Sequence, residues 1–219
     1  MSTVKKSLGK SFFLALVLLL AIQIVRLIAS ECMLGFTDVS VYGKQVAELI
    51  AIFVIAILLV VIFKPEQPQY AMYLPKKKGL RWAYIALGLV TLVMVIIYPA
   101  FYGGYHLKLL VPLLLYGVVM PLVEQAMFEG YLWNYFEKSA KNQWVVGVLT
   151  AILFTLWRLA FADVMYYVSM ESGVALETCI LWQGLIGLGT GLLTGIVRLR
   201  SKSTFLGVLI QSLIALIFL

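Results

Sequence analysis

The chain has 219 residues, of which 63% are hydrophobic and 12% charged, with a mean hydropathy of +1.02. A chain this apolar has too little polar surface to face water on all sides, which excludes a soluble globular domain and calls for lipid as the solvent. The formal net charge of +7 is a topology signal, and no nucleic-acid partner is inferred from it.

Seven apolar stretches are long enough to cross a bilayer as helices. The first, Ser11–Ser30, follows Lys5, Lys6 and Lys10. It is too long for a signal peptide, carries Arg26 late and lacks a clean small-x-small cleavage site, so a retained span is expected. The second and third, Gln45–Lys64 and Trp82–Tyr102, flank a connection, Pro65–Leu80, that contains Pro65, Pro68 and Pro75 and reads as an irregular loop. Its Lys76-Lys77-Lys78 run ahead of Arg81-Trp82 reads as a topology anchor, with an anionic headgroup site as the alternative. The fourth, Lys108–Phe136, contains Pro112 and Pro121, which predict a tilt or a kink. After the short turn Lys138–Asn142 come Gln143–Ala162, Leu176–Val197 and Ser203–Leu219.

Charge sets the orientation. Lys5, Lys6, Lys10, Lys64, Lys76, Lys77, Lys78, Arg81, Lys138, Lys141, Arg198, Arg200 and Lys202 fall on one side of this arrangement. The other side holds only Lys44 and Lys108, beside Glu31, Asp38, Asp163, Glu171 and Glu177. The basic side is cytoplasmic by the positive-inside rule, which puts the N-terminus inside and the C-terminus outside. The expected fold is all-α: a polytopic transmembrane helical bundle of about seven spans, forming a single membrane domain over residues 1–219. Cys32 and Cys179 both fall on the outer side. They read as isolated thiols, with a disulfide in an oxidising compartment as the alternative.

Charged and amide side chains inside these spans are the functional candidates, because an ionisable group in hydrocarbon is costly. Glu124 lies about 20 Å up its helix from the turn at Lys138–Asn142, and Arg158 lies at about the same height on the next helix. The two are placed to face each other. With Gln125, Glu129 and Gln211 they make a polar cluster, and Phe154 shares a helix face with Arg158 as Gln125 does with Glu129. Arginine cannot deprotonate and offers five donors, so it suits the holding of a buried carboxylate. A Glu–Arg clasp that fixes helix packing explains both charges. Catalysis by Glu124 and Glu129 would need a second suitably titrating group. Arg26 and Glu48 form another candidate pair near the outer ends of the first two spans, read as structural. The only histidine, His106, lies in a loop, so no metal site of the His type is expected within the spans, and no cofactor. Gly184, Gly187, Gly191 and Gly195 make a packing face, either within the chain or toward a partner.

The run Glu124-Gln125-Ala126-Met127-Phe128-Glu129-Gly130-Tyr131-Leu132 resembles the Glu-Glu-x-x-x-Arg-Gly-Tyr-Leu motif of the CPBP family. That family comprises the CAAX-protease and bacteriocin-processing intramembrane proteins, also called Abi. Phe154-Thr155-Leu156-Trp157-Arg158 resembles its Phe-x-x-x-His motif. Gln211-Ser212-Leu213-Ile214-Ala215, after the glycine-rich helix, resembles its His-x-x-x-Asn motif. The resemblance covers residues 112–219. It implies an intramembrane endopeptidase in which glutamates and histidines activate a water, with a metal as one route. Here the second glutamate is Gln125, the arginine is Glu129, the two histidines are Arg158 and Gln211, and the asparagine is Ala215. A glutamate clasped by an arginine is a poor base, so the resemblance points to a pseudoprotease.

Such a chain is expected to serve another membrane protein as scaffold, chaperone or regulator, bacteriocin immunity included. The expected setting is a bacterial or archaeal plasma membrane. A partner would be met through the spans or short outer loops, where Phe36, Tyr42, Tyr166 and Tyr167 are exposed aromatic candidates. A residual endopeptidase using Glu124 and Glu129, and a transporter or small-molecule binder built on the polar cluster, are the alternatives.

Overall fold

The computed structural model describes residues 7–37, 40–63, 78–101 and 104–217. Lys5, Lys6, Asp38, Lys64, Pro65, Pro68, Pro75, Lys76 and Lys77 of the charge and loop assignments lie outside them. Among the described residues the secondary structure is helical throughout: α1 (Leu8–Leu34), α2 (Val41–Phe63), α3 (Lys78–Phe101), α4 (Leu107–Glu137), α5 (Gln143–Leu159), α6 (Ala162–Ser172), α7 (Leu176–Ser201) and α8 (Thr204–Ile217). Five of these helices are long and apolar enough to cross a membrane, or six if the bent pair α5–α6 is one span. α8, with 14 residues, is apolar but shorter than these five spans. The chain is a multi-pass helical membrane protein.

Around an apolar and aromatic core that includes Ile52, Phe128, Trp133, Phe136, Phe154 and Trp157, some helices bury a polar seam and turn apolar side chains outward. α1 buries Ser11, Ala15, Leu19, Gln23, Arg26 and Ser30 along one seam, while Phe13, Leu20, Ile24 and Ile28 are exposed. α7 buries Gly187, Thr190, Gly191, Thr194, Gly195 and Arg198 and exposes Leu181, Leu185, Leu192 and Ile196. Lipid tails are as apolar as leucine, so only close packing and polar pairing hold such helices together.

The glycine face is an internal one. A Cβ at Gly191 would stand 3.1 Å from the Ala151 Cα, and one at Gly187 would stand 3.1 Å from the Arg158 Cβ. α7 therefore lies against α5 at a separation that larger residues would not permit. Cys32 and Cys179 are free thiols.

Three local features differ from the sequence expectations. α3 begins at Lys78, so three residues of the expected Pro65–Leu80 loop are helical. α4 is not a uniform α-helix, because Leu115–Val119 and Ala126–Leu132 are π-helical. The first of these segments precedes Pro121, which has no N–H and whose ring would press on the carbonyl of Gly117 in an α-helix; widening the turn relieves both problems. The expected fifth span ends early, at Leu159, and the chain turns by 52° into α6. No proline or glycine marks this break. It is held by side chains from α1 and α2, described below. Phe36 and Tyr166 are exposed as expected, whereas Tyr42 and Tyr167 are half-buried.

Candidate functional site

The polar cluster is built where α4, α5 and α8 meet. Glu124 and Gln125 end the α-helical turn between the two π segments of α4, and both are fully buried. The π turns rotate the helix out of its regular period, and such bulges gather at functional positions. Arg158 occupies the last turn of α5, and Gln211 lies in the buried face of α8.

Both oxygens of Glu124 are in use. Oε1 accepts from the Trp157 indole Nε1 at 3.0 Å, and Oε2 accepts from Arg158 Nη2 at 2.7 Å. Oε2 also accepts from the Gln211 amide Nε2. That bond fixes the direction of the next one, because Gln211 then has only its Oε1 left to accept Nε2 of Gln125, at 2.7 Å. The amide chain thus runs from Gln125 through Gln211 to the carboxylate. Phe154 is buried beside it, edge-on to Phe128 at 5.1 Å and 5.4 Å from the Arg158 guanidinium.

The structure therefore brings Glu124, Gln125, Phe154, Arg158 and Gln211 together, but gives Glu129 different partners. Glu129 sits in the second π segment, where i→i+5 bonding breaks the i,i+4 relation to Gln125. Its Oε1 accepts from Thr194 Oγ1 on α7 at 3.4 Å, and the Arg198 charge on α7 acts on it through space. Its Oε2 is buried without a hydrogen bond.

Gly207 on α8 closes the cluster from below. A Cβ there would overlap Gln125 Oε1. Glycine-to-alanine changes in helices usually stabilise, by about 1 kcal/mol. Gly207→Ala is instead expected to lower the unfolding temperature in mild detergent, by pushing Gln125 off Gln211. Gly189→Ala, at a position with nothing within 4 Å of the added carbon, should leave that temperature unchanged or raise it.

A second charged cluster joins α1, α2 and α6, and the sequence showed only its Arg26–Glu48 part. Arg26 uses all five guanidinium N–H groups: Nε donates to Gln23 Oε1 at 2.6 Å, Nη1 to Glu48 Oε1 at 2.5 Å and Asp163 Oδ2 at 3.3 Å, and Nη2 to Asp163 Oδ1 at 2.8 Å and the Ala160 carbonyl at 3.2 Å. Lys44, fully buried, pairs with Glu31 at 2.7 Å and Asp163 at 2.9 Å. Gln23 Nε2 donates to the Trp157 carbonyl at 3.2 Å. Gln23, Lys44, Trp157 and Asp163 were missed. The i,i+4 spacing of Lys44 and Glu48, at the start of an apolar run, was the available signal.

A metal fits neither cluster. The first offers one carboxylate, two amides and a guanidinium already bonded to that carboxylate, a set that repels a divalent cation. The acids of the second, Glu31, Glu48 and Asp163, are paired with Lys44 and Arg26, and among the described residues no group of three His, Cys, Asp or Glu side chains could hold a metal ion.

Helices that bury their polar seams, with a carboxylate, a guanidinium and two amides joined in the middle, define a class: multi-pass membrane proteins with an intramembrane polar centre. The family model described as type II CAAX prenyl endopeptidase Rce1-like matches residues 106–217, and the chain belongs to this family, a CAAX-protease family of the CPBP kind. No curated protein and no solved structure matches the chain.

Proposed function

We propose that this chain is a member of its family that does not hydrolyse peptide bonds, and that it serves another membrane protein as scaffold, chaperone or regulator. The observation that carries the reading is the occupation of Glu124. Its carboxylate is bound by three donors, of which an arginine, an indole and an amide have no proton to exchange in acid–base work. A base that must take a proton from water needs a free lone pair directed at that water. Most of the lone pairs of Glu124 are directed at α5 and α8. The replacement of both motif histidines, by Arg158 and Gln211, supports the same reading. The proposed setting is a bacterial or archaeal plasma membrane.

The test is an endopeptidase assay. The purified protein in bilayer nanodiscs is incubated with a prenylated peptide ending in a CAAX sequence, and products are read by mass spectrometry. No product is expected from wild type. Product formed by wild type and lost in Glu124→Ala would overturn the reading. Co-purification from native membranes in mild detergent should then return a membrane partner in stoichiometric amount.

One observation favours a residual endopeptidase as the second reading: the uncommitted Oε2 of buried Glu129. In that case Glu129→Gln, which keeps the shape and removes the charge, would abolish the product in the same assay.

A further inference from the structure

The two polar clusters share a residue. Trp157 donates its indole N–H to Glu124, while its main-chain carbonyl accepts from Gln23 of the Arg26 cluster. Its ring also packs edge-on against Phe161 at 5.6 Å, and the Arg26 guanidinium lies over the Phe161 ring, 4.2 Å from its centre. A continuous path of contacts therefore runs from Arg26 through Phe161 and Trp157 to Glu124.

That path crosses the break between α5 and α6. A helix end leaves carbonyls without partners, and in a membrane these must be satisfied by other groups. Here Gln23 and Arg26 satisfy the carbonyls of Trp157 and Ala160, and Arg26 and Lys44 hold Asp163 in the first turn of α6. The residues that fix the break come from α1 and α2, outside the family-matched residues 106–217.

We propose that the Arg26–Asp163–Lys44 cluster is a latch that sets the α5–α6 break and, through Trp157, positions the Glu124–Arg158 centre. Arg26 is a positioning residue for that centre. The latch lies at the rim of the bundle, since Glu31, which pairs with Lys44, is half exposed. A partner that draws Lys44 or Asp163 away at the rim would release Trp157 from the buried carboxylate. The latch rests on the geometry of the two clusters alone, and holds whether or not the chain hydrolyses peptides.

The full-length protein labelled with 5-fluorotryptophan gives five ¹⁹F signals, one for each tryptophan, and loss of one in Trp157→Phe assigns Trp157. Arg26→Lys keeps the charge but removes the fork that spans Asp163, Glu48 and Ala160. It is expected to shift the Trp157 signal in the direction produced by Glu124→Gln. Asp163→Asn should shift it the same way by a smaller amount, and carries the test if Arg26→Lys does not accumulate. Leu206→Ala, in the apolar cluster with Tyr84 and Leu209 that is separate from the core cluster holding Trp157 and Phe161, controls for general loosening and should leave the Trp157 signal in place. A Trp157 signal unmoved in folded Arg26→Lys or Asp163→Asn, or moved equally by Leu206→Ala, would overturn the proposal.

Discussion

Glu124→Ala is expected to lose about 3–5 kcal/mol of stability, the cost of breaking a buried charge pair, and to deplete the protein from membranes. The loss is not that of one bond. The substitution leaves an arginine, an indole and an amide with no acceptor in the interior of the bundle, and donors stranded in hydrocarbon have no water to turn to. The measurement is unfolding temperature in mild detergent, with membrane abundance by immunoblot. A double variant separates the pair from its parts. Glu124→Leu with Arg158→Leu removes both charges, and paired charges replaced by apolar side chains of similar size are often neutral. The double variant should therefore be more stable than either single one. Equal stability of wild type and Glu124→Ala would show that the carboxylate holds nothing.

Arg26→Met is expected to have an effect at least as large, about 3–5 kcal/mol, through a different physical cause. Arg26 is the donor to two acids at once, Glu48 and Asp163. Without it, both carboxylates and Glu31 are left to Lys44 alone, so the substitution adds repulsion to lost bonding. Methionine fills nearly the volume of the stem, so the loss is electrostatic rather than a cavity. The check is accumulation in the membrane and unfolding temperature against Arg26→Lys, which should fall between wild type and Arg26→Met.

Different parts of this arrangement were legible in the sequence to different degrees, for physical reasons. Glu124 and Arg158 could be set opposite each other by counting, because a short turn fixes the register of two antiparallel helices and each residue rises a constant amount. Gln211 joined them by its depth in the last span, which begins at Ser203. Glu129 was grouped with Gln125 on the assumption of an unbroken α-helix, and the π turn sends it to Thr194 instead. Lys44 and Asp163 counted as loop charges for orientation, a rule that looks at side of membrane and not at neighbours. Only the packing of α2 beside α6 shows that they are paired. The α5–α6 break was illegible because its cause is not local: the sequence around Ala160 and Phe161 carries no helix breaker, and the carbonyls freed there are met by side chains more than a hundred residues away.

The pairing within the first two helices has a consequence for biogenesis. Arg26 with Glu48, and Lys44 with Glu31, are matched inside the α1–α2 hairpin before Asp163 exists. The hairpin can thus leave the insertion machinery as a charge-balanced unit during synthesis, when N-terminal segments fold first. Asp163 arrives later with α5 and α6 and finds two cations already in place. Its carboxylate docks onto Arg26 and Lys44, each already held by an acid of its own hairpin, before α7 and α8 complete the bundle. A truncated chain ending after α2 should insert on its own, whereas a chain beginning at α3 should insert with Asp163 unmet and be recognised by quality-control proteases.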